Sequence, residues 1–272
     1  MKKTIFLVTL AVCMLLSSWK NYADESTQEQ TSLLQDIRAR GELRVGVNPS
    51  YFPFEMFDKQ GELIGFNLDL GHEIALELGV TLVPIKTSWD GIIPRMVEGQ
   101  FDIILSMLIT EERAGVIDFS HPYIEVGQRM LLHPKHQHTI TSYQQVNAPE
   151  YHVVTQRGTT AEQVVRRLLP KARCTIFERI ENAAYSVVQG EADAVVYDLP
   201  FCLLFQKMVG EDAILLLDEA LTIELLAIAV PKGEGQLRRE LNMIIQKIRD
   251  DGRYSSMYQK WFLETEWFQQ VE

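Results

Sequence analysis

The fold class this sequence predicts is α/β, built as two successive units, and three observations carry that reading. Short apolar, β-rich runs alternate with segments whose apolar residues recur at helical spacing, the pattern of strand, helix and strand that forms a mainly parallel sheet. The alternation starts again after a connector rich in Pro, His and Gln at 133–149. With 272 residues and 46% hydrophobic content, the chain can bury a large core in one domain or two lobes.

The elements follow in order. Strands are read at 43–47, 80–85 and 101–105. Between them, Leu70, Ile74 and Leu78 share one helical face, and Ile92, Ile93, Met96 and Val97 mark a second helix. The stretch SMLITEERAGVIDFSHPY (106–123) comes directly after the third strand. Thr110 suits a helix N-cap, which puts Glu111 and Glu112 in the first turn, where the helix dipole favours acids. A short helix fixed at the carboxyl end of a strand lies where open α/β sheets bind ligands. Arg113 projects there with a planar fork suited to a carboxylate; a surface ion pair with a neighbouring glutamate is the plainer alternative. In the second unit, strands are read at 152–155, 174–177 and 194–197, with helices at 161–169 and 181–189. An extended apolar run at 221–230 belongs to neither unit by pattern. Two amphipathic helices close the chain, the first marked by Leu237, Leu241, Ile244, Ile245 and Ile248 and ended by Gly252.

Composition narrows the function. A formal charge of −11 argues against nucleic acid as a partner, since polyanions need clustered Lys and Arg, and leaves a small ligand or a protein. Lys2 and Lys3 precede an apolar stretch at 4–16 that is too short for a bilayer span and typical of an export signal, with cleavage expected near Ala23. Losing residues 1–23 removes Lys2, Lys3 and Lys20 and no acid, which takes the charge from −11 to −14. Val12 is branched, so Cys13 reads as an apolar member of the signal and not as a lipidation site. Cys174 and Cys202 are expected as buried free thiols, with a bridge between them as the alternative. His133, His136 and His138 cluster in the connector, where solvation is expected, and no metal or cofactor spacing is visible.

The segments LRVGVNPSYFPFEMFDKQGELIGFNLDLGHEIALELG, WDGIIPRMVEGQFDIILSMLITEERAGVIDFSHPY, RGTTAEQV, EADAVVYD, AIAVPKG and DGRYSSMYQKWF follow one another in a recognisable order. Over nearly the whole mature chain this resembles the family 3 periplasmic solute-binding proteins of amino-acid ABC importers. The resemblance implies the two-lobed type II periplasmic binding protein fold, with two crossing strands as its hinge and a ligand closed between the lobes. On that template 38–126 and 228–272 form the first lobe and 127–224 the second, with crossings near 126–130 and 222–227. It also implies a monomeric periplasmic receptor that takes a small α-amino acid with a polar or aromatic side chain, needs no cofactor and delivers to a membrane permease.

The same resemblance implies roles for residues. Arg113 matches the arginine that grips the ligand α-carboxylate. Thr159 and Thr160, in a Gly-Thr-Thr that follows a strand and opens a helix, offer an anion-binding end to share it, although alone they are a helix cap. Asp198 matches the acid that receives the ammonium group, the alternative being an ordinary N-cap. Asn48, Tyr51 and Trp89 match side-chain pocket positions, where core packing is the alternative for the aromatics, as it is the expectation for Phe52 and Phe54. Arg157, just before the Gly-Thr-Thr, is expected to be an exposed arginine, with recognition of an acidic side chain as the alternative.

Two departures stand out. Asn67 occupies a position where the family usually has an acid, and Leu108 replaces a Ser or Thr that touches the head group. Ser106 remains with a carbonyl and a hydroxyl. A cyclohexadienyl dehydratase shares the fold and needs a positioned proton donor. That glutamate aligns with Ala161 here, beside Glu162, so binding is expected over catalysis. With no second apolar span after the signal, a freely diffusing receptor is expected over a membrane-bound ligand sensor.

Overall fold

A computed structural model describes residues 32–264 and 266–271. The expected export signal, its cleavage near Ala23 and Cys13 lie outside these residues.

The described chain opens with α1 (Leu33–Arg40) and β1 (Glu42–Val47), followed by a small antiparallel sheet of β2 (Ser50–Tyr51), β3 (Glu55–Phe57) and β4 (Leu63–Ile64). Next come α2 (Phe66–Leu78), β5 (Thr81–Lys86), α3 (Ile92–Val97), β6 (Ile103–Leu108), α4 (Glu111–Ala114), β7 (Ile117–Phe119) and β8 (Ile124–Val126). The second unit holds β9 (Gln128–Leu132), β10 (His152–Gln156), α5 (Thr160–Leu168), β11 (Arg173–Phe177), α6 (Ile180–Val188), β12 (Ala194–Asp198), α7 (Leu199–Val209) and β13 (Leu215–Leu216). The chain then returns through β14 (Glu224–Pro231) to α8 (Gly235–Asp250), α9 (Arg253–Tyr258) and α10 (Phe268–Val271).

Two larger sheets result. The first runs β5-β1-β6-β14-β7, with β8 also on β14, and the second runs β11-β10-β12-β9-β13. Strands joined through helices are parallel, as the alternation predicts: β1 with β5 and β6, and β10 with β11 and β12. The apolar run that fitted neither unit is β14, which lies antiparallel against β6, β7 and β8 in the first sheet. It arrives from the second sheet without a crossover helix, and so runs the opposite way. Strand β9 is likewise antiparallel to β12 and β13.

Every residue of β6 is buried because each face of the first sheet has its own cover. Ile103, Leu105 and Leu108 join the larger core, which also holds Leu70, Ile74 and Leu78 of α2. Ile104 and Met107 pack with Ile92 and Met96 of α3 in a smaller one. Residues 103–105 alternate between the two cores as in a strand buried on both sides, and the sides are exchanged by Met107 and Leu108, where the pairing with β14 shifts register.

The chain passes between the sheets at Gly127 and again just before β14. A Cβ on Gly127 would lie 2.2 Å from the Thr222 carbonyl oxygen, so the two passing segments touch backbone to backbone. The Gln128 amide donates to Thr222 Oγ1 at 3.0 Å beside that contact.

Four expectations about individual side chains need correction or sharpening. Cys174 and Cys202 are free, but only Cys202 is buried; Cys174 is exposed because β11 is an edge strand of its sheet. Phe54 is fully buried, whereas Phe52 is half-buried, with its ring 4.6 Å from that of Phe201 across the two units. His136 is held by Asp193 at 2.8 Å and is not simply solvated. Arg157 is exposed and reaches Glu178 at 2.7 Å.

Candidate functional site

Strand β6 ends at Leu108, and the cap that follows acts as the sequence indicates: Thr110 Oγ1 accepts the Arg113 backbone amide at 3.1 Å. This fixes α4 and turns Arg113 inward, where only 7% of it stays exposed. Its Nη1 donates to the Leu108 carbonyl at 3.0 Å and its Nη2 to the Gly158 carbonyl at 3.3 Å, the latter in the second unit. The guanidinium also stands 5.5 Å from the centre of the Trp89 ring. Burial lowers the guanidinium pKa, against the pull of Asp198, Glu224 and Glu112, and the group stays charged.

The facing wall comes from the second unit. Gly158, at φ +69°, makes the turn between β10 and α5, and its carbonyl also accepts Trp89 Nε1 at 3.0 Å. Thr159 caps α5 by accepting the Glu162 amide at 3.3 Å, while its own hydroxyl donates to the Gln156 carbonyl at 2.8 Å. The Thr160 hydroxyl donates to Glu224 at 2.7 Å and accepts from Gln128 Nε2 at 3.0 Å.

Asp198 occupies the N-cap position of α7, yet its carboxylate makes no capping bond. It accepts instead from the Tyr51 hydroxyl of the first unit and from Gln128 Nε2. Burial, aided by Glu224, pushes its pKa up to about 6, while Tyr51, Gln128 and Arg113 pull the other way. Burial and the adjoining Asp198 raise the Tyr51 phenol well above its ordinary range, so it remains a neutral donor.

Tyr51, Trp89, Ser106, Leu108, Arg113, Thr159, Thr160 and Asp198 thus line one small cavity of about 20 Å³, with Tyr197 as the remaining wall. Asn48 is the predicted site residue that does not reach it. It lines a neighbouring cleft of about 280 Å³ that shares Trp89 and also meets Ser50, Asp90, Gln156 and Glu178. The Asn48 side chain is held by backbone, accepting from the Ser50 amide at 3.1 Å and donating to the Thr87 carbonyl at 3.4 Å. Sequence reasoning missed Gln128 and Glu224, which bracket Asp198 and Thr160 from the two passing segments. It also missed Glu55, which lies behind Ser106.

Residues 43–264 match the family model of the bacterial extracellular solute-binding proteins, family 3. The chain belongs to that family. Among its relatives, the ABC transporter glutamine-binding protein GlnH of Bacillus subtilis (strain 168) is 29% identical over 97% of this chain and 98% of its own length. A cyclohexadienyl dehydratase of Pseudomonas aeruginosa is 30% identical over 65% of this chain and 66% of its own. A crystal structure described as the binding component of an ABC transporter from Wolinella succinogenes, complexed with lysine, is 40% identical with a TM-score of 0.82. It covers 85% of this chain and 99% of that one. This solute-binding protein therefore has the two-lobed α/β fold of the periplasmic amino-acid-binding proteins. Most of its named relatives are amino-acid-binding proteins and not enzymes. No helix among the described residues is long and apolar enough to cross a membrane.

Proposed function

We propose that this solute-binding protein holds one α-amino acid between its lobes in the periplasm and presents it to the permease of an ABC importer. It acts as a monomer without a cofactor, its lobes divided as 38–126 with 228–272 and 127–224. The observation that carries this reading is the convergence on one cavity of a buried guanidinium, the first turn of a helix and a buried carboxylate. An amino-acid head group carries both complementary charges. Its carboxylate is assigned to Arg113 and the Thr159–Thr160 turn, and its ammonium to Asp198. The side chain runs past Tyr51 and Trp89 into the cleft beside Asn48, whose polar lining suits a polar or aromatic group.

A cavity of about 20 Å³ has room for about one water. Entry of a head group therefore requires the lobes to part, separating Tyr51 from Asp198, and Trp89 and Arg113 from the Gly158 carbonyl. Mass spectrometry of small molecules released from the denatured protein, with a thermal-shift panel of the standard amino acids, tests the proposal. An amino acid at a hundredfold its Kd stabilises by about 2.7 kcal/mol; no shift with any α-amino acid refutes the reading.

One observation favours a second reading, dehydration. A buried carboxyl pushed up to about 6 keeps a proton close to neutral pH, as a general acid must. The aligned donor position, Ala161, is fully buried and has no ionisable group. Conversion of arogenate or prephenate to an aromatic product would establish this activity.

A further inference from the structure

Glu55 lies on β3, is 1% exposed, and borders the site without touching the cavity. Its carboxylate takes three hydrogen bonds: from the Asn48 amide at 2.7 Å, Asn67 Nδ2 at 2.8 Å and the Ser106 hydroxyl at 2.6 Å. The direction of each is forced by its chemistry. The Asn48 donor is a backbone N–H and cannot reverse. The carboxylate at 2.8 Å only accepts, which turns Asn67 Nδ2 to Glu55 and, at 2.5 Å, to Ser106 Oγ; Oδ1 then lies 3.1 Å from the Tyr123 hydroxyl, whose one proton is shared with the Leu105 carbonyl at 2.7 Å. Burial raises the Glu55 carboxyl pKa while the Ser106, Asn67 and Asn48 donors lower it. As the carboxylate that these three donors favour it only accepts, so the single Ser106 proton lies on Glu55. One Ser106 lone pair is used by Asn67, and the other is left for the cavity that Ser106 shares with Arg113 and Asp198.

We infer that Glu55 is a positioning residue for ligand selection: by holding the Ser106 proton it presents that hydroxyl to the cavity as an acceptor only, matched to a protonated α-amine. The inference rests on the α-amino-acid reading of the site. It also gives Asn67 a purpose. An acid at that position would place a second carboxylate against Glu55 and force the pair to share a proton, whereas the amide donates to both of its neighbours.

Glu55→Gln tests the mechanism. The Gln carbonyl oxygen is required by the Asn48 N–H, so its NH₂ replaces the acceptor that Ser106 and Asn67 Nδ2 share; Ser106 Oγ then receives a hydrogen bond where it gave one, and the lone pair it offered the cavity is lost. An ammonium group loses an acceptor there, while a ligand hydroxyl rotates to suit either partner. Calorimetry of wild type with each of the twenty standard L-amino acids picks the tightest, which is then compared with the 2-hydroxy acid bearing the same side chain. Glu55→Gln should lower the preference for the amine over the hydroxyl by about tenfold. Ser106→Ala should lower it similarly, and the double variant no further, because both act at one oxygen. Ser106→Ala removes only a hydroxyl and serves on its own if Glu55→Gln does not fold. Equal losses for amine and hydroxyl ligands in these variants, or an unchanged preference, overturn the inference while the proposed function stands. A wild type that binds no standard amino acid overturns the proposed function and this inference with it.

Discussion

Asp198→Asn should strengthen the fold and weaken the site. Burial carries this carboxyl from the ordinary aspartate value of 3.8 up to about 6. An acid whose pKa is raised in the folded state binds its proton more tightly folded than unfolded. It therefore favours folding below the unfolded value, and that advantage is lost as pH rises from 3.8 through about 6. At about 1.4 kcal/mol for each tenfold in proton affinity, the loss at pH 7 is on the order of 3 kcal/mol. Asparagine escapes it while keeping both hydrogen bonds. Gln128 still donates to the side-chain oxygen, and the Tyr51 hydroxyl accepts from the new NH₂ as readily as it donated to the carboxylate. Urea unfolding followed by tryptophan fluorescence in amino-acid-free buffer should show Asp198→Asn more stable at pH 7, by up to about 3 kcal/mol, with the gap closing near pH 4. Binding of an α-amino acid to the same variant should fall by tenfold or more, because its ammonium loses its charged partner. A variant less stable than wild type at pH 7, or a gap that does not shrink on acidification, would refute the reasoning.

Three further outcomes are expected. Arg113→Met keeps the aliphatic stem but removes the fork, and should cost about 2 to 5 kcal/mol of amino-acid affinity, roughly thirtyfold to several-thousandfold; calorimetry within a few fold of wild type would exclude a carboxylate ligand at this point. Leu108→Ser should add a head-group contact of order 1 kcal/mol, and weaker binding in the same titration would mean that the leucine selects an apolar group. Gly127→Ala places a methyl 2.2 Å from the Thr222 carbonyl oxygen and should destabilise by about 1 to 3 kcal/mol in chemical denaturation, with unchanged stability contradicting the tight crossing.

What could be read from the sequence was whatever repeats with a period or sits next to its cause. The parallel strands β1, β5, β6, β10, β11 and β12 announce themselves as apolar runs, and the amphipathic α8 buries each of its five marked residues. Arg113 was legible because its cap is three residues away. The two- and three-residue strands β2 to β4, β7 and β8 are too short to show any alternation. Gln128, Glu224 and Glu55 were missed for a different reason. Their partners lie far along the chain, such as Ser106 for Glu55 and Asp198 for Gln128, and a buried acid reads in sequence like a solvated one. The contrast between Cys174 and Cys202 belongs with these, since whether a strand lies at an edge depends on pairing and not on composition.

The place of β14 in the first sheet also makes the two sheets differ in how much of the chain each needs. Among the described residues, strands β7 and β8 pair only with β14, which in turn separates β7 from β6. Until residues 224–231 have arrived, the first sheet is limited to β5, β1 and β6, with one flank of β6 open. The second sheet draws all its strands from one unbroken stretch, 128–216, and waits for nothing downstream. Loop closure over such a stretch costs less entropy than recruiting a strand from more than a hundred residues away. The middle of the polypeptide is thus equipped to fold before its beginning, and the last strand to arrive is the one that seals the lobe the ribosome made first.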